Sequence, residues 1–115
     1  MSEQRLKVTV KTKNVNSKLL FKNINDAVRK ISDECIVPTV TLFAYEYEYG
    51  QLSMFLNTFM AVLKEKEVVR HYDVICDVRN NPQIQTRAGV IKALIKYKQK
   101  NCLNVTEIDY TFSIK

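Results

Sequence analysis

The sequence predicts an α+β domain, with a mainly antiparallel sheet, two helices packed on one side and the order β-α-β-α-β-β-β. Two observations carry this. Both ends of the chain alternate apolar and polar residues with the period of a strand, and two internal segments space their apolar residues as helices do. A length of 115 residues makes residues 1–115 one domain, and neither a repeat nor a composition shift marks a linker.

The first element is a strand over residues 5–13, RLKVTVKTK. Leu6, Val8 and Val10 point one way, and Arg5, Lys7, Thr9 and Lys11 the other. Its basic face is a common guard for a sheet edge. Asn14, Asn16 and Ser17 break the alternation as a loop. From Asn23 the spacing becomes helical: Ile24, Val28, Ile31 and Cys35 form one stripe, Asn23 or Asn25 is the expected cap, and Pro38 forbids continuation. Thr39 to Tyr49 is β-branched and aromatic and reads as strand or extended chain, which would set Tyr45, Tyr47 and Tyr49 on one face.

Gly50 to Lys66 reads as the main helix, with Leu52, Phe55, Leu56, Phe59, Met60 and Leu63 on its apolar stripe. The strand that follows sets Val74, Cys76 and Val78 on one face and Asp73, Ile75 and Asp77 on the other, before Asn80-Asn81-Pro82 supplies turn chemistry. In the next strand Ile91, Ala93, Ile95 and Tyr97 alternate with Lys92, Leu94, Lys96 and Lys98. In the last, Thr106, Ile108, Tyr110, Phe112 and Ile114 alternate with Glu107, Asp109, Thr111 and Ser113. The acidic face of the last strand complements the lysine face of its neighbour.

Composition narrows the function classes. Net charge is +6, yet lysine and arginine are spread along the chain without a dense basic run. The tyrosine row lacks interleaved cations, so a nucleic-acid partner is not expected there. No apolar run is long enough to cross a bilayer, and the N-terminus has no signal-peptide core, so neither a membrane partner nor export is expected. Cys35, Cys76 and Cys102 are odd in number and widely spaced, and His71 is the lone histidine. The cysteines are therefore expected to be reduced and passive, with no metal site and no cofactor. Asp73 and Asp77, four apart on a strand, would lie about 13 Å apart, too far to work as a carboxylate pair on one bond. With glycine only at positions 50 and 89, no phosphate-cradling fingerprint can be written. No catalytic residues emerge, and the chain reads as a non-enzyme.

One stretch points to a family. YDVICDVRNNP, with Tyr72, Val74, Cys76, Asp77, Asn80 and Asn81 as the matching positions, resembles the C-terminal domain of contractile phage tail sheath proteins. The helix carrying Leu52, Phe55, Leu56, Phe59 and Leu63 looks like the helix that precedes that strand in the family. Leu19-Leu20 with Ile24, Val28 and Ile31, then Phe43 to Glu46, resembles the element before it. The sequence departs from the family by opening with its own basic strand, by omitting the insertion and N-terminal domains of ordinary sheath subunits, and at Gly89. The resemblance implies a structural virion protein, a sheath subunit or a sheath-like piece of a baseplate or neck. It would be assembled in the host cytoplasm and partnered by itself in a ring or helical lattice, by the tail tube and by other tail proteins.

The family joins neighbours by exchanging terminal strands. Residues 1–13 and 105–115 are therefore candidate exchange arms, with Leu6, Val8, Val10, Ile108, Tyr110, Phe112 and Ile114 as candidate interface residues. The alternative from another class is a small basic phage-derived binding module that contacts nucleic acid or a host protein.

Overall fold

The structure is a computed structural model and describes residues 6–36, 45–82 and 89–114. The elements are β1 (Leu6–Lys13), α1 (Lys18–Cys35), α2 (Tyr45–Glu65), β2 (Val69–Ile75), β3 (Val90–Gln99) and β4 (Val105–Ile114). The α+β class read from the sequence is the class observed: among the described residues, a four-stranded sheet in the order β1-β4-β3-β2, antiparallel at every pairing, with two helices between its edge strands in sequence. Because β1 and β2 lie at opposite edges, the chain must cross the sheet between them. The helices make that crossing and cover one face.

Alternation decides which face. On β3, Ile91, Ala93, Ile95 and Tyr97 are buried, while Lys92, Leu94, Lys96 and Lys98 are only half-buried. On β4, Thr106, Ile108, Tyr110 and Phe112 are buried, with the Tyr110 and Phe112 rings stacked at 5.9 Å between centroids. These side chains meet Leu20, Ile24 and Val28 of α1 and Leu52, Leu56 and Met60 of α2 in one core. Leu6, Val8 and Val10 of β1 border that core without being fully buried. The opposite face stays open and carries charge in register. Lys13, Glu107, Lys96 and Asp73 are successive cross-strand partners, alternating in sign over four strands. The complementarity expected between β3 and β4 is realised there at Lys96 and Glu107.

Several boundaries differ from expectation. Helix α1 starts five residues before Asn23, at Lys18, because Ser17 is its cap: the Leu20 amide donates to the Ser17 hydroxyl at 3.2 Å. Pro38 lies outside the described residues, as do Thr39 to Ala44 of the expected second strand. The rest of that segment is not extended. Tyr45–Tyr49 form the opening of α2, so the tyrosines do not line one strand face. A local preference for strand yields here to continuity with the apolar helix that follows.

Within α2 the buried line is Leu52, Leu56 and Met60, with Phe59 and Leu63 partly buried beside it. Phe55, expected on the sheet, is 45% exposed. It sits next to Leu56 in sequence and therefore about 100° away around the helix. The helix ends in a Schellman arrangement, in which the Val68 amide donates to the Leu63 carbonyl at 2.9 Å and the Glu67 amide to the Lys64 carbonyl at 3.0 Å. Glu67 takes the left-handed position, φ 62°, that glycine usually fills.

Candidate functional site

The motif stretch is built as a strand that stops and is then imitated. Strand β2 pairs with β3 from Val69↔Gln99 to Ile75↔Leu94, with a bulge between Val69 and His71. Tyr72 and Val74 face the core side, opposite Tyr97 and Ile95. Cys76 is buried, and its thiol donates to the Tyr49 carbonyl of α2 at 3.6 Å. Burial, aided by the neighbouring Asp77 charge, pushes this thiol up to about 12.

The strand ends at Ile75, so Asp77 lies in a turn and not on a strand face with Asp73, and Val78, expected inward with Val74 and Cys76, is 68% exposed. The Asn80 and Asn81 amides both return to the Asp77 carbonyl, at 3.2 and 2.9 Å. The Asn80 side chain donates to the Ile75 carbonyl at 2.6 Å and accepts from the Asp77 amide at 3.1 Å, which caps the strand end. Asn81, 2% exposed, bonds the β3 backbone at Lys92 through both side-chain atoms. The turn after β2 therefore forms a structural clamp.

Arg79 completes it and was not singled out from sequence. Its guanidinium grips Asp77 in a two-pronged pair, Nε to Oδ1 at 3.0 Å and Nη2 to Oδ2 at 2.7 Å. That contact holds the Asp77 carboxyl below its usual range. The signal was present in the D-x-R spacing, which lets a turn fold an arginine back on an aspartate.

The candidate interface residues are brought together at the other edge. Strand β1 pairs along its whole length with β4 of the same chain, from Leu6↔Ile114 to Lys13↔Glu107. Ile108, Tyr110 and Phe112 are consumed by the core, whereas Leu6, Val8 and Val10 stay partly exposed. The β1 strand is tied to α1 by residues 14–17. There Asn14 has φ 58°, and the buried Thr106 hydroxyl donates to its carbonyl at 2.6 Å.

His71 is exposed on β2. Among the described residues no group of three or more His, Cys, Asp or Glu side chains is placed to hold a metal ion, and no helix is long and apolar enough to cross a membrane. No family model, curated protein or solved structure matches this chain.

Proposed function

We propose that the protein is a structural subunit of a phage-type contractile tail, a sheath or a sheath-like baseplate or neck component, joined to its neighbours by exchange of terminal strands. One observation carries this reading: the first strand of the chain completes a sheet edge against the last strand. Edge pairing of this kind uses the same backbone bonds whether the added strand comes from the same chain or from a neighbour.

The connection to α1 supports the reading further. A four-residue hinge, residues 14–17, holds a non-glycine residue in the left-handed region. Opening it would relieve that conformation and release β1. The energetics suit a lattice. Leu6, Val8 and Val10 would each contribute a part of the roughly 1.5–3 kcal/mol of a fully buried apolar side chain. A rim ion pair contributes about 0–1 kcal/mol. Assembly should therefore survive high salt.

The test compares the intact chain with one lacking residues 1–13, after far-UV circular dichroism establishes that both are folded. Sedimentation and negative-stain images of the intact chain should show regular assemblies at raised concentration and high salt, and the truncated chain should remain monomeric. An intact chain that stays monomeric throughout, or a folded truncation that assembles equally well, overturns the reading.

A further inference from the structure

We propose that the hollows meeting at His71 form a binding site for the backbone of a single-stranded nucleic acid. One hollow, of about 410 Å³, is lined by Lys64, Glu67, Arg70, His71 and Lys100 among others. A second, of about 230 Å³, has mostly apolar walls, with Tyr72, Tyr97 and Val105 beside Asp73, Lys96 and Lys98. His71 belongs to both. Together the two hollows are bordered by five cationic residues (Lys64, Arg70, Lys96, Lys98 and Lys100) and two acidic ones, Glu67 and Asp73.

The fold creates this concentration, because it brings Lys64 of the last turn of α2 and Arg70 of β2 to Lys96 and Lys98 of β3 and to Lys100 just beyond it. Three local devices gather them. The β2 bulge sits at exposed Arg70. The left-handed turns at Glu67 and Asn101 reverse the chain on either side of the hollow. The Lys100 amide then donates to the Val68 carbonyl at 3.3 Å and holds β3's end against α2's exit.

The shape argues for a linear polyanion. Two open hollows in a row exceed what one compact phosphate ester would occupy. Lys96 and Lys98 stand two strand residues apart, about 6.8 Å, comparable to the spacing of successive phosphates along an extended single strand. Glu67, whose carboxylate is 3.8 Å from the Lys100 ammonium, opposes binding and sets a limit on it.

The site does not rest on the assembly reading, which is tested on the protein alone. The probe is a fluorescein-labelled oligothymidylate of about 12 nucleotides, followed by anisotropy. With three phosphates neutralised, affinity should fall about 18-fold between about 50 and about 200 mM salt. R70Q/K100Q should weaken binding about tenfold or more. K22Q/K30Q removes equal charge from exposed positions on α1 and should change it less than about twofold. E67Q should tighten binding, which keeps the proposal testable if the double variant fails to fold. Equal losses in R70Q/K100Q and K22Q/K30Q, unchanged binding in a folded R70Q/K100Q, or displacement of the oligonucleotide by polyglutamate as effectively as by unlabelled oligothymidylate would each overturn the site.

Discussion

Asn81 pairs with Lys92 as if its side chain were a strand backbone: its Nδ2 donates to the Lys92 carbonyl at 2.8 Å, and its Oδ1 accepts from the Lys92 amide at 2.6 Å. The β2–β3 ladder thereby continues past Ile75 although the chain has already turned. Replacing Asn81 by Ala leaves the Lys92 amide without this partner in a buried setting. Each such loss costs about 1–3 kcal/mol. Asn81→Ala is therefore expected to destabilise the domain by about 2–4 kcal/mol in urea unfolding, and the Lys92 amide should exchange with solvent much faster. A loss below about 0.5 kcal/mol would show that the clamp is dispensable.

The face of α2 can be tested by contrast. Met60 is fully buried and Phe55 is 45% exposed. Met60→Ala should cost about 2–5 kcal/mol, whereas Phe55→Ala should cost under about 1 kcal/mol despite removing the larger side chain. Phe59, partly buried, should fall between them. The reverse order for Met60 and Phe55 would mean that the helix is rotated.

Where apolar period and burial coincide, the sequence was sufficient to read the fold. The alternating faces of β1, β3 and β4 and the inward positions Ile24, Val28, Leu52 and Leu56 follow directly from spacing. It misled at Tyr45–Tyr49, where tyrosines alternating with Glu46 and Glu48 carry the period of a strand inside a helix, and at Phe55, which borders Leu56 on a broad apolar stripe. Ser17 does not stand out as a cap in the sequence because the stripe begins clearly only at Ile24, about two turns later. Among the motif residues, turn chemistry at Asn80 and Asn81 was legible. That Asn81 would reach Lys92, eleven residues on, was not, since register across a long connection has no local signature. The lysine face of β3 was legible, but that it would meet Lys64 and Arg70 around His71 was not, for the same reason.

Gly50 lies inside α2, and a methyl group added there meets nothing within 4 Å. Glycine in a helix interior costs roughly 0.5–1 kcal/mol relative to alanine, mainly through the freedom it gives the unfolded chain. Gly50→Ala should accordingly raise stability by about that amount in urea unfolding, without changing the slope of the transition. A destabilising outcome would show that this turn of α2 needs a conformation alanine resists.

Cys76 gives the pH dependence a definite sign. Its thiol is neutral in the core, and burial raises its folded value from 9.0 to about 12. The folded state thus holds this proton more tightly than the unfolded chain does. The resulting stability is fully present below about pH 9 and is lost as pH rises from there toward 12. Unfolding followed in urea across that range should show stability falling with pH, and Cys76→Ser or Cys76→Ala should remove part of the slope even though each lowers stability at neutral pH. Thiol labelling offers an independent check at mildly alkaline pH. Half-buried Cys102 should react rapidly, while Cys76 should react only through opening of the domain, at a rate that rises with urea. Rapid labelling of Cys76 in the folded protein, or an alkaline slope unchanged by its replacement, would mean that this thiol is not sealed beneath the Tyr49 carbonyl.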